Sequence, residues 1–121
     1  EMFYAEKNNG AYFNNKRMRV SKKRNIDECL FATGGKDHIK NNLNTRKSGS
    51  AALDMAYVGA GRYDGYFQKD LNIWDIAAGI IIVEEAGGKI NNIDNSSKAG
   101  INILAGSNSI YQKMQENLNN F

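Results

Sequence analysis

Between Asp75 and the Gly87-Gly88 pair, the sequence runs Ile-Ala-Ala-Gly-Ile-Ile-Ile-Val-Glu-Glu-Ala, which is apolar nearly all round through the first two turns of the helix it predicts. A surface helix carries one apolar stripe, so a helix of this kind must be buried on more than one side. It has to be a central element with other layers packed around it. Asp75 stands where an N-cap belongs and the two glycines supply the stop. The apolar run from Ile76 to Val83 is far shorter than the roughly 20 residues needed to span a bilayer. No charged-then-apolar leader opens the chain, so the expectation is a soluble, cytoplasmic protein with no membrane partner.

The rest of the chain has to provide those layers. With 121 residues, 41% of them hydrophobic and 24% charged, there is material for one compact domain and not for two of ordinary size. Residues 2–21 read as a β-meander: Met2 to Ala5, a turn at Asn8-Asn9-Gly10, Ala11 to Phe13, a turn at Asn14-Asn15, and Met18 to Val20. Its large apolar side chains, Phe3, Tyr4, Tyr12 and Phe13, have no evident partner layer in this chain. Ile26 to Thr33 predicts a buried strand entry ending at Gly34-Gly35. The polar segment Lys36 to Lys47, apolar only at Ile39 and Leu43, permits a short amphipathic helix. A second helix is predicted from Ser50 to Ala60, with Leu53, Ala56, Tyr57 and Ala60 as its core stripe. Strands are predicted over Tyr63 to Gln68, Lys89 to Ile93 and Ile101 to Ala105. Ser109 to Asn117 predicts a last helix led by Ile110, Met114 and Leu118. Strands alternating with helices predict a layered α/β sandwich.

Charge and reactive side chains say less. The net charge of +3 is concentrated at Lys16, Arg17, Arg19, Lys22, Lys23 and Arg24, a segment that suits either a solvated strand face or an acidic partner such as RNA. Cys29 is the single cysteine, so no internal disulfide is available, and the single His38 cannot anchor a multi-histidine metal site. Both are expected to be structural or solvent-facing. Asp54, Asp64, Glu84 and Glu85 are likewise read as structural.

Three segments carry the functional signal: Gly49-Ser50-Ala51-Ala52-Leu53-Asp54, then Ala60-Gly61-Arg62-Tyr63-Asp64-Gly65-Tyr66-Phe67, then Trp74-Asp75-Ile76-Ala77-Ala78-Gly79 closed by Glu85-Ala86-Gly87-Gly88. In order and register they resemble the C-terminal signature of the inositol monophosphatase family, in its SuhB-like group. The family also carries an Asp-Pro-x-Asp-Gly-Thr motif in an N-terminal half, and this sequence, which contains no proline, has nothing like it. The resemblance implies a C-terminal αβα layered sandwich of the sugar-phosphatase fold over residues 25–121. Residues 1–24 are then a meander belonging to an N-terminal domain's sheet. It also implies that the Lys36 to Lys47 segment is abbreviated, where relatives carry a longer helix and an extra strand.

On chemistry, small residues at a helix start let an anion approach unpaired backbone amides, though they serve tight helix packing equally well. The resemblance places substrate at Gly49, Ser50 and Ala51. It makes Asp75 a ligand of Mg²⁺, where the residues alone favour a plain N-cap. Trp74 is expected to fix the turn by packing. Gln68 stands where many relatives have an acidic residue that reaches a substrate hydroxyl, which leaves the polyol specificity open. The implied activity is hydrolysis of a polyol or sugar phosphate by metal-activated water, in a homodimer, with the remaining metal ligands in the absent half and this chain inactive alone. Two alternatives stand beside it. One is a fructose-bisphosphatase or nucleotide-phosphatase relative; the other is a non-catalytic partner of RNA or the transcription machinery through Lys16 to Arg24.

Overall fold

A computed structural model describes residues 2–34, 43–93 and 100–118. It stacks four layers: a small sheet, a helix pair, a larger sheet and a terminal helix. The small sheet is the predicted meander, with β1 at Phe3–Glu6, β2 at Gly10–Phe13 and β3 at Lys16–Arg17 in antiparallel order β1-β2-β3. Phe3 pairs with Phe13 and Ala5 with Ala11. Asn8, Asn14 and Asn15 carry the turns at φ of 69°, 47° and 69°, a left-handed conformation that asparagine tolerates better than most residues. The third strand lies two residues earlier than Met18 to Val20, because the chain then leaves the sheet: the Val20 amide donates to the Ala86 carbonyl at 3.0 Å.

The larger sheet contains β4 (Phe31–Thr33), β5 (Thr45–Lys47), β6 (Gly65–Leu71), β7 (Gly88–Ile90) and β8 (Ile101–Ser107) in the order β5-β4-β6-β8-β7. β4 runs parallel to β5 and β6, and β8 antiparallel to β6 and β7. Alternation along the strands divides the core. Ala32, Tyr66, Ile103 and Ala105 face α1 (Ala51–Gly59) and α2 (Ile73–Glu85). Phe31, Phe67 and Leu104 face α3 (Tyr111–Asn117) through Ile110, Met114 and Leu118, as the predicted stripe requires. Burying each of these large side chains is worth about 1.5–3 kcal/mol.

The helix α2 is buried on three sides. Ile76 and Val83 reach the larger sheet, Ile82 and Ala86 reach the small one, and Gly79 meets α1. The fourth side, with Ala77, Ala78 and Ile81, is exposed. A Cβ at Gly79 would lie 2.8 Å from the Met55 Cβ, and one at Gly59 would lie 2.7 Å from the Ile82 Cγ2, so glycines let the two helices approach this closely.

Several expectations are corrected. The inner face of the meander has its layer within this chain: Phe3, Ala5, Ala11 and Phe13 pack with Ala56, Ile82 and Ala86 of the helix pair. Ala56 is buried as the stripe requires, but Leu53 is 39% exposed, because α1 is clamped between two layers and buries Met55 and Val58 as well. Thr45–Lys47 is a parallel strand and not the end of a helix. The Ile39 part of that predicted helix, and His38 with it, lie outside the described residues. The strand expected to end at Gln68 continues to Leu71 through a register shift, with Asp70 at φ 59°. Among the described residues no helix is long and apolar enough to cross a membrane.

Candidate functional site

The carboxyl ends of the parallel strands β4, β5 and β6 open into a cleft of about 660 Å³, the position where ligands bind in open α/β sheets. Gly34 follows β4, Ser48 follows β5, and Gln68 and Leu71 come from β6. Gly49 to Ala52 come from the start of α1, and Trp74 and Asp75 from the start of α2. All five residues singled out in the sequence, Gly49, Ser50, Ala51, Gln68 and Asp75, thus line one cavity. They reach it from three elements, and both helices present their amino ends, where unpaired N–H groups and the dipole favour an anion.

Ser50 is the N-cap of α1: its Oγ accepts the Leu53 amide at 3.1 Å. The Ser50 amide donates to Ser48 Oγ at 3.2 Å, while the Ala51 and Ala52 amides are first-turn donors without a cap acceptor. A Cβ at Gly49 would meet nothing within 4 Å, so helix packing does not require glycine there. Ala51, in contrast, does pack against the core.

Asp75 is not the N-cap of α2. Asn72 holds that place, its Oδ1 accepting the Trp74 amide at 2.9 Å, and Asp75 lies one turn further along in the first turn, exposed on the cleft. Its carboxylate is therefore not needed for capping. Trp74 is 73% exposed, so it walls the cleft and does not anchor the core. Gln68 accepts a hydrogen bond from the Tyr66 hydroxyl at Oε1. The amide can still offer its remaining acceptor capacity and its N–H₂ donors.

Sequence reasoning missed how closely Asp54 stands behind this wall. It is 1% exposed and hydrogen-bonded to Ser48, with Oδ1 unpaired among the described residues. Burial pushes its carboxyl above the usual range, opposed by the Ser48 hydrogen bond, and Asp54 in turn adds to burial in raising the Tyr66 phenol. Its place four residues after Ser50 was the available signal, since that spacing puts it under the cap on the same side of α1.

Asp64 and Glu85, both read as structural, hold other parts of the chain. Asp64, 2% exposed, accepts the Leu30 amide at 2.7 Å and lies 3.7 Å from Lys23 Nζ. Glu85 accepts the Asn8 and Gly10 amides at 3.0 and 2.8 Å, fastening the first turn of the meander to α2. Cys29 is buried, and its thiol is pushed up to about 11 by burial first and by Asp64 second. No group of three or more His, Cys, Asp or Glu able to hold a metal occurs among the described residues. Asp75 is the one carboxylate among those lining the cleft, which suits Mg²⁺, an ion that keeps several waters and takes one or two carboxylates from a protein.

Known proteins share this fold. The profile of the inositol monophosphatase family matches residues 1–120. An inositol-1-monophosphatase of Caulobacter vibrioides is 36% identical over 98% of this chain and 54% of its own length. The Nus factor SuhB of Escherichia coli is also 36% identical, over 98% of this chain and 51% of its own. Among solved structures, an inositol monophosphatase of Thermotoga maritima superposes with a TM-score of 0.84 at 38% identity, covering 97% of this chain and 50% of that one. The chain thus spans about half the length of these relatives. A family profile over nearly every residue, joined to a matching five-stranded sheet, leaves one conclusion: this chain belongs to the inositol monophosphatase family.

Proposed function

We propose that this chain supplies the C-terminal half of a Mg²⁺-dependent phosphomonoesterase acting on a polyol or sugar phosphate. The observation that supports this most directly is the convergence of two helix amino ends and one exposed carboxylate, Asp75, on a single cleft. In this reading the free amides of Ala51 and Ala52 and the open position at Gly49 receive the anionic substrate, and Ser50 holds that turn in shape. Asp75 contributes one oxygen ligand to Mg²⁺, which when bound polarises phosphate and lowers the pKa of water. The other ligands come from residues outside this chain.

Gln68 sets the specificity. Its amide can offer N–H donors to the substrate, where a carboxylate would offer acceptors alone. A substrate oxygen acting as acceptor, from a hydroxyl or a second phosphate, is what it fits. The fructose bisphosphate alternative is therefore worth assaying alongside inositol phosphates; the Thermotoga maritima relative at 48% identity over 74% of this chain is named for both activities.

The test uses the protein as its gene encodes it. Asp75→Asn is expected to abolish Mg²⁺-dependent phosphate release while leaving the thermal midpoint nearly unchanged, because Asn72 retains the cap. Wild-type turnover in Asp75→Asn would sink the assignment.

A further inference from the structure

At the far end of α2, about 17 Å from Asp75 at the helical rise per residue, lies a second cleft, of about 740 Å³. Arg19, Lys22, Arg24 and Lys113 line it, with Val20 and Ala86 as an apolar floor and no acidic residue among the described residues of the lining. Residues 19–24 and Lys113 are remote in sequence, so the fold itself brings these charges together. Two hydrogen bonds lock the walls: Ser109 Oγ donates to the Lys23 carbonyl at 2.7 Å, and Lys113 Nζ donates to the Arg24 carbonyl at 2.7 Å. Lys113 retains two further N–H donors.

These cations are not consumed in finishing the helix. The Ala86 carbonyl accepts the Val20 amide, the Ile82 carbonyl accepts the Ala86 amide and the Glu84 carbonyl accepts the Gly87 amide. Nor do they pair with carboxylates: among the described residues, the ion pair within 4 Å belongs to Lys23 and Asp64. Arg17 lies in the field of Glu85, Lys89 sits over the Tyr111 ring at 5.4 Å, and Arg62 stacks on Phe13 and Tyr57 at 5.2 and 4.9 Å. Arg19, Lys22, Arg24 and Lys113 thus share one concavity. Four like charges around a cavity of small-molecule size, over an apolar patch, fit a compact polyanion better than an extended backbone.

We propose that this cleft binds a small molecule carrying a chain of two or more phosphates, at a site separate from the Asp75 cleft and independent of any phosphatase activity there. Arg19, Lys22 and Arg24 contact the phosphates from one wall and Lys113 from the other.

The experiment is isothermal titration of inorganic tripolyphosphate into the protein as encoded, with EDTA present to remove divalent ions from the Asp75 cleft. Orthophosphate and a 12-nucleotide RNA serve as comparison probes. Tripolyphosphate is expected to bind at least tenfold tighter than orthophosphate. Raising salt from about 50 to 200 mM should weaken it several-fold, and excess inositol monophosphate should not displace it. Arg19→Gln/Lys113→Gln should cost at least tenfold, while Arg19→Lys/Lys113→Arg keeps most of the affinity, and matched thermal midpoints confirm folding. Equal affinity in the charge-removed variant overturns the proposal, as does displacement by inositol monophosphate. RNA binding tighter than tripolyphosphate at the same residues overturns it in favour of a nucleic-acid surface.

Discussion

Replacing Gly79 by alanine tests the crossing of α1 and α2, and two effects of opposite sign compete there. Helix propensity alone favours the change by about 1 kcal/mol. Against it, the new methyl would lie 2.8 Å from the Met55 Cβ, 2.9 Å from its Sδ and 3.4 Å from its Cγ, where carbon atoms normally stand about 3.5–4.0 Å apart. The sulfur can swing away, but a Cβ moves only with its backbone, so the helices must separate by roughly 1 Å. Overpacking of this kind costs about 1–3 kcal/mol. Met55 is fully buried and shares a core cluster with Ile76 and Val83, which leaves no slack to absorb the shift. The expected net effect is a loss of about 1–2 kcal/mol, read as a lower urea midpoint at unchanged slope. A double-mutant cycle isolates the cause: Met55→Ala should cost measurably less in the Gly79→Ala background than in the wild type. Because both helices bring their amino ends to the Asp75 cleft, apparent substrate affinity should fall as well. A neutral or stabilised Gly79→Ala, or strictly additive costs in the cycle, would refute the close-crossing argument.

Asn72→Ala should destabilise by about 1 kcal/mol through loss of the α2 cap, whereas Asp75→Asn should change stability by no more than about 0.5 kcal/mol; urea titration of both distinguishes cap from ligand. Cys29 should react with a thiol reagent far more slowly than an exposed cysteine in the folded protein and at the ordinary rate in denaturant, since a thiol at about 11 holds roughly a hundredfold less thiolate than one near 9. The Glu85 carboxyl lies below its ordinary value, chiefly through the Asn8 and Gly10 amides. Its stabilisation is therefore present above the unfolded value and lost as pH falls through the lower folded one, and Glu85→Gln should remove that acid-side dependence and weaken amide-exchange protection at Asn8 and Gly10. The chain by itself should release no phosphate from polyol phosphates with Mg²⁺, because a single cleft carboxylate cannot assemble a two-metal site; turnover comparable to that of a whole relative would contradict the ligand count.

What the sequence determined by itself was local and periodic. The apolar run at Ile76 to Val83 demanded a helix buried on several sides, the Asn-Gly turn demanded a hairpin, and Ile110, Met114 and Leu118 marked the buried stripe of α3, because spacing and turn chemistry act over a few residues. The family resemblance its motifs carry implied substrate at Gly49, Ser50, Ala51 and Gln68 and a metal at Asp75, and these five residues line one cleft. Tertiary structure decided what depends on residues far apart. Leu53 turned outward because α1 lies between two layers, and its periodicity could not say which side faced which. Asp75 yielded the cap to Asn72 because β6 ran on through its register shift and α2 began at Ile73. Folding set the Tyr66 hydroxyl against Gln68, and the docking of residues 19–24 on α3 gathered Arg19, Lys22, Arg24 and Lys113 around one cavity. A charged or amide side chain acquires its function from the partners that three-dimensional packing assigns it, and those partners leave no periodic trace in the chain.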